Sequence, residues 1–138
     1  MVIDSLQVLL KYKVMKDEKS FGIWMDTHEA TIVAQTETGE AAKPVIVAHV
    51  HGEEVAPNSN EKNEQNQEKM LRAKFFKEIA AHLTNATKVH ITGTGVAQEQ
   101  FMHYLADTAA FKNTATEEST SNKMSDESLL DYFSGKLN

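Results

Sequence analysis

The chain has 138 residues, no cysteine, and 20 acidic against 14 basic residues, which gives a formal net charge of −6. This length suits one domain that buries its own core without disulfides or a structural metal. The missing cysteines exclude a disulfide scaffold and a cysteine nucleophile, and the acidic balance argues against DNA binding. No apolar run is long enough to span a membrane. We therefore expect a cytoplasmic protein with neither a membrane partner nor a cofactor.

The first twenty residues differ in character from the rest. An apolar patch within residues 1–10 leads into a charged run that ends at Ser20, and Met15 stands just before that run. Met15 is a plausible natural start, with residues 1–14 as an upstream extension. The alternative is a short element that packs on the edge of the domain. In either case we expect the domain itself to span residues 21–138.

Three strands are expected next. Residues 21–26 alternate in polarity, residues 30–35 resume after a polar turn at Asp26–Glu29, and Val45–His51 is rich in β-branched residues. A second turn is expected at Glu37–Glu40. Strands joined by such short turns form an antiparallel meander.

Helices and short strands alternate in the second half. Residues 52–66 lack apolar periodicity and carry four glutamates against one lysine, so an acidic loop is expected there. Helical spacing predicts helices over 67–83 and 96–108 and a last helix that begins after Ser125, a good N-cap, with apolar residues as far as Leu137. Strands are expected at 88–92 and at 112–118. The order β-β-β-α-β-α-β-α predicts an α/β fold of the ribonuclease H-like type, a meander extended by parallel βα units with helices on both faces of a mixed sheet.

With this order, the chain resembles the central domain of Pelota and of the class-1 release factors of archaea and eukaryotes, over residues 21–137. The hairpin that opens at Phe21 carries part of the resemblance, and the segment Ile91–Leu105 carries the most specific part. That segment resembles the strand–Gly-Pro-Gly–helix piece of Pelota proteins, with Thr94 where Pro is usual and Gln98 where Lys is usual. Small bacterial proteins built on this domain alone are the most similar group.

The resemblance implies a role in translation without catalysis of peptide release. In the release factors that chemistry resides in a Gly-Gly-Gln tripeptide on the loop that corresponds to residues 52–66, and this chain has no such tripeptide. A loop with a net charge of −3 is also unsuited to an RNA-lined cavity. Pelota lacks the tripeptide as well and acts in ribosome rescue, so a ribosome-associated role remains open.

Candidate partner-binding residues lie on the helix after the loop and at the turn before the next helix. Arg72, the only arginine, is predicted on the core-facing side of its helix, where it either pairs with an internal carboxylate or reaches out to a partner. Basic residues on the same helix form a small positive surface: Lys69, Lys74 and Lys77. A second candidate lies at the turn before the next helix and in its first turn: Gly93, Gly95 and Gln98. The Gly93-Thr94-Gly95 stretch either cradles an anion or is simply a tight turn.

A metal site is the competing interpretation. His49 and His51 project to one side of a strand, and His28 from the neighbouring hairpin would give a third ligand. Asp26 stands where ribonuclease H-type nucleases place a metal-binding carboxylate, yet residues 88–93 supply no second one. A turn-forming Asp26 is the alternative.

These observations favour a non-catalytic, translation-associated protein that binds the ribosome or a ribosome-bound partner, in rescue, quality control or hibernation. One alternative is a metal-dependent nuclease or hydrolase that uses Asp26 and the three histidines. Another is a simple interaction module that forms a homo-oligomer through an edge strand.

Overall fold

The computed structural model describes residues 19–35, 43–55 and 60–137. Five strands form one mixed sheet in the order β3-β2-β1-β4-β5. Neighbours pair antiparallel from β3 to β1 and parallel from β1 to β5. The strand bounds are β1 Ser20–Met25, β2 Glu29–Gln35, β3 Val45–His51, β4 Lys88–Gly93 and β5 Ala115–Thr120. The predicted meander extended by parallel strands is therefore confirmed.

Within the described ranges, three helices cover the two faces of this sheet: α1 Glu61–Ala81, α2 Val96–Ala106 and α3 Asp126–Phe133. A short 3₁₀ helix, Ala109–Phe111, links α2 to β5. Within the described residues, no helix combines the length and the apolar character that a membrane crossing requires.

The central strand β1 is buried on both sides, so its alternation divides the core into two clusters. Ile23 and Met25 belong to the larger cluster, which α1 and α2 cover with Phe75, Phe76, Ile79, Leu83, Phe101 and Leu105. Trp24 points to the other side and packs in the smaller cluster with Val33, Leu129, Phe133 and Leu137. The sheet is therefore the middle layer of three.

Helix α1 begins six residues earlier than the sequence predicts, so residues 61–66 of the expected acidic loop are helical. Asn60 caps this helix, because its side chain accepts a hydrogen bond from the backbone N–H of Asn63 at 2.9 Å. The first two turns are polar on all sides, which is why apolar periodicity does not reveal them. Of the expected loop, residues 52–55 remain extended and 56–59 lie outside the described residues.

The other boundaries shift by a few residues. Helix α2 ends at Ala106 and strand β5 starts at Ala115, three residues later than expected. Ser125 caps α3 as predicted, with its hydroxyl accepting from the N–H of Ser128 at 3.2 Å. Leu137 is buried as expected but lies beyond the end of that helix. Residues 1–18, including Met15, and the turn predicted at Glu37–Glu40 lie outside the described part of the chain.

Strand β3 forms one edge of the described sheet. Val45 and Val47 are about half exposed on it, and a register shift opposite Ile32 and Val33 interrupts its pairing with β2. Bulges of this kind are a common means of discouraging pairing between edge strands. A homo-oligomer formed through this edge stays a prediction.

Candidate functional site

A cleft lies at one edge of the described sheet, between the segment after β3 and helix α1. Strands β1, β3, β4 and β5 all end at this edge, since β3 runs parallel to β1. In α/β sheets, binding sites concentrate outside the carboxyl ends of strands. This edge cleft has a volume of about 410 Å³ and is lined by Thr27, His28, Gly52–Val55, Glu68, Leu71, Arg72, Phe75, Phe76, Ala97 and Gln100.

The β1–β2 turn and the segment after β3 are fastened together, which gives the cleft one firm wall. Asp26 Oδ1 accepts hydrogen bonds from the backbone N–H groups of His28 and Glu29, both at 2.8 Å. Gly52 in turn donates its N–H to the carbonyl of His28 at 2.8 Å. Asp26 thus forms the turn, as the alternative interpretation predicted, and the structure gives it no place in a metal site.

The floor of the cleft is apolar and its rim is charged. Phe75 and Phe76 are almost fully buried, and Leu71 beside them is half-buried. Three carboxylates stand on the rim, those of Glu53, Glu54 and Glu68, with Arg72 as the single lining guanidinium.

One rim carboxylate is already engaged by a lysine of α1. Lys74 Nζ lies 2.6 Å from Glu53 Oε1. The hydrogen bond and the negative charge of Glu53 raise the pKa of Lys74 above its ordinary value. Lys74 thus forms an exposed ion pair between α1 and the segment after β3, and its role in partner binding stays a prediction.

Arg72 lies elsewhere than the sequence predicts. It is exposed and lines the edge cleft, whereas the helical phase places it with Phe75 and Ile79 on the core-facing side. Arg72 shares the cleft lining with Phe75 and Phe76, so its side of α1 faces the open cleft at this position. The expected internal ion pair is wrong, since Arg72 forms no ion pair with any residue in the described ranges. Lys69 and Lys77 are exposed on α1 outside the cleft, and their role in binding stays a prediction.

Gln98 is an interior residue of the turn between β4 and α2. It is 1% exposed. Its amide donates to the backbone carbonyl of Ser119 and to Glu118, and its oxygen accepts the N–H of Gly95 at 3.2 Å. Its hydrogen bonds fasten α2 to β5, and its role in partner binding stays a prediction.

The glycines of the same turn are explained by local geometry. A Cβ on Gly93 would lie 2.0 Å from the carbonyl oxygen of Met25, a distance no side chain allows. Gly95 has φ +137°, which favours glycine. The tight-turn interpretation of Gly93-Thr94-Gly95 accounts for both residues without an anion.

The three candidate metal-ligating histidines have separate surroundings. His49 Nε2 lies 3.0 Å from Asp126 Oδ2, and His51 Nδ1 lies 3.8 Å from Glu29 Oε2. Both line a second, smaller cleft beside α3, whereas His28 lines the edge cleft. Across the described ranges, no three His, Asp or Glu side chains are grouped so that they could hold a metal ion. A metal site at these histidines stays a prediction.

Sequence analysis missed a polar network beneath α3. His90 on β4 lies with Nδ1 3.2 Å from Glu117 Oε2 and Nε2 2.8 Å from Ser119 Oγ, and this hydroxyl also lies 2.7 Å from Tyr132 Oη. The rings of Tyr132 and Phe133 pack edge-on against the imidazole. The hydrogen bond with His90 lowers the pKa of Glu117. These four polar residues are called the α3 network below.

The α3 network contains the residue types of a serine–histidine–carboxylate triad, and its contacts join β4, β5 and α3. Ser119 lines neither the edge cleft nor the smaller cleft, and α3 covers its hydroxyl through Tyr132. Sequence alone does not show the network, because it depends on the register that places His90 opposite Glu117. The alternation of Glu117 and Ser119 on one side of β5 is the only signal in the sequence.

Comparison with solved structures shows a shared fold. The Thermoplasma acidophilum Pelota protein superimposes with a TM-score of 0.54 and 20% identity, over 96% of this chain and 38% of that protein. Archaeoglobus fulgidus Pelota superimposes with a TM-score of 0.54 and 12% identity, over 96% of this chain and 36% of that protein. The archaeal translation termination factor aRF1 superimposes with a TM-score of 0.52 and 16% identity, over 93% of this chain and 37% of that protein.

These structures are similar to the chain in fold only. No protein-family model and no curated protein sequence matches it. The chain spans less than two fifths of the length of each of the three proteins. The resemblance expected from Phe21 and Ile91–Leu105 is confirmed at the level of the fold, which this chain shares with one part of Pelota and of aRF1.

Proposed function

We propose that this chain is a non-catalytic, translation-associated binding protein of the bacterial type, which contacts the ribosome or a ribosome-bound partner through the edge cleft. Ribosome rescue, quality control and hibernation are the processes in which such a protein would act. The single observation that carries the proposal is the match of nearly the whole described fold to Pelota and aRF1.

The position of the cleft supports this proposal. The segment after β3 and helix α1 line it, and the resemblance to release factors implies that residues 52–66 are the counterpart of the loop that carries their Gly-Gly-Gln tripeptide. The tripeptide is absent from this chain, so the proposal includes binding without peptide release. A cleft of this size with an apolar floor is also typical of binding sites in general.

The direct test is sedimentation of the tagged, full-length protein with ribosomes from its native cell, at low and at high salt. We expect the protein in the ribosomal fraction at low salt, with a smaller fraction at high salt because rim charges contribute to contact. Absence of the protein from the ribosomal fraction at both salt concentrations, in growing and in starved cells, would refute the proposal.

A matched pair of variants tests whether the edge cleft is the contact surface. Leu71→Asp places a charge on the floor of the cleft, whereas Met70→Asp places one at a neighbouring, exposed position of α1 that does not line it. We expect Leu71→Asp to reduce the ribosome-bound fraction about tenfold, because a buried carboxylate disfavours apolar contact. Circular dichroism checks the fold, and Val55→Asp replaces Leu71→Asp if the helix variant is unfolded. Equal binding by the cleft variant and Met70→Asp would contradict the assignment.

A further inference from the structure

The charge pattern of the edge cleft points to the class of its occupant. We infer that the cleft binds a protein segment that presents a lysine or arginine beside an apolar side chain, and that it does not bind RNA. This inference rests on the proposed function only in that the segment would belong to a ribosomal protein or to a ribosome-bound factor. The inference adds that the cleft contacts protein and not RNA.

The floor requires an apolar side chain. Leu71 and Val55 are half-buried and flank the two phenylalanine rings, so part of their apolar surface is still in contact with solvent. Val96, next to the lining residue Ala97, is 66% exposed at the start of α2. Covering these groups removes apolar surface from water, which a Leu, Met or Phe side chain does well and a ribose-phosphate chain does poorly.

The rim requires a positive charge. Glu54 and Glu68 form no ion pair with any residue of the described ranges, whereas Glu53 is engaged by Lys74. Phosphate groups would approach two uncompensated carboxylates, and that repulsion opposes RNA binding. A lysine or arginine of a protein segment would instead meet a carboxylate on either side of the apolar floor.

Arg72 completes the set of groups that a polypeptide would use. Its guanidinium lines the same cleft without an ion pair in the described ranges and carries five N–H donors. Backbone carbonyl groups of an extended segment are suitable acceptors for these donors. Apolar floor, acidic rim and one multivalent donor together match a basic, apolar peptide segment better than they match a nucleic acid.

The test measures binding of small probes to the full chain without ribosomes, by amide chemical shifts in nuclear magnetic resonance. The probes are the capped peptide Leu-Lys-Phe-Lys-Leu, its counterpart Leu-Glu-Phe-Glu-Leu, and a single-stranded oligouridine. We expect the lysine peptide alone to shift the amides of Glu54, Glu68 and Phe75. Shifts at the cleft caused by oligouridine or by the glutamate peptide, or no shift with the lysine peptide, would overturn the inference.

Charge variants test whether the rim carboxylates attract the lysine peptide. Glu54→Gln with Glu68→Gln should weaken the lysine peptide about fivefold, since each exposed ion pair contributes modestly. The control, Glu78→Gln with Glu99→Gln, changes the net charge equally at exposed positions outside the cleft and should leave binding unchanged. Equal effects of the two double variants would overturn the inference. Loss of ribosome sedimentation with retained peptide binding would refute only the proposed function.

Discussion

The sheet face beneath α3 and the edge cleft differ in how their polar side chains are paired. Beneath α3, the hydrogen-bonding atoms of His90, Glu117 and Ser119 are paired with one another and with Tyr132. At the edge cleft, Glu54, Glu68 and Arg72 have no ion-pair partner in the described ranges. Both sites are made of ordinary charged and polar residues on regular elements. The contrast teaches that charged side chains without an ion-pair partner in the described ranges, next to an apolar floor, mark the candidate binding surface better than reactive residue types do.

Removing a ring on the α3 side should have the largest effect on stability. Phe133 is fully buried against Trp24 and His90, so Phe133→Ala leaves a cavity in the smaller cluster. We expect a loss of about 3–5 kcal/mol in the free energy of unfolding, measured by urea denaturation. Leu71→Ala at the edge cleft should cost less than half as much, because that side chain is only half-buried. Equal losses would remove the contrast between the two regions.

Gln98→Leu should have the next largest effect. The change leaves the N–H of Gly95 and the carbonyl of Ser119 without their side-chain partner. The expected loss is about 1–3 kcal/mol in the free energy of unfolding. Binding to the edge cleft by the folded fraction should not change, although Gln98 was predicted from sequence as a partner-binding residue. A stable variant with lost binding would restore that prediction.

The pH dependence of stability tests the α3 network. The pKa of Glu117 is lowered in the folded state, so its contribution is present above the unfolded-state pKa and is lost as pH falls through the folded-state value. Glu117→Gln should therefore destabilise the protein at neutral pH, and the difference from the unmodified chain should shrink below about pH 4. Glu54→Gln, at a rim carboxylate without an ion pair, is the control. A difference for Glu117→Gln that stays constant with pH would contradict the network.

Arg72→Ala should have the smallest effect on stability. An exposed guanidinium without an ion pair in the described ranges contributes within about 0.5 kcal/mol, whereas breaking a buried ion pair would cost about 3–5 kcal/mol. The midpoint of urea denaturation should thus remain nearly unchanged. A large loss would show that Arg72 belongs to the interior, as its helical phase suggested.

Much of the fold was readable from local patterns. The alternation in residues 21–35, the helical spacing around Phe75 and Phe101, and the cap at Ser125 all mark elements that the structure contains. The sequence did not predict the first two turns of α1, because a polar helix has no apolar periodicity. The N-cap Asn60 was the available signal, and it stands among several other asparagines and glutamates.

The edge cleft was harder to predict than the elements that form it. Helical phase placed Arg72 on the core-facing side of α1, whereas the side chain is exposed and lines the cleft. Gln98, which the sequence suggested as a partner-binding residue, is buried, and that role stays a prediction. Both outcomes depend on how elements meet in three dimensions, which spacing along one element does not specify.

We propose above that the edge cleft, and not the α3 side, contacts the translation apparatus. The most direct measurement is ribosome sedimentation of the unmodified chain beside Leu71→Asp and Glu127→Lys, the latter an exposed change on α3. We expect the unmodified chain and Glu127→Lys to sediment with ribosomes at low salt, while most of the folded Leu71→Asp stays in the supernatant. Sedimentation of Leu71→Asp to the same extent as the unmodified chain, or no sedimentation of the unmodified chain at any salt concentration, would contradict it.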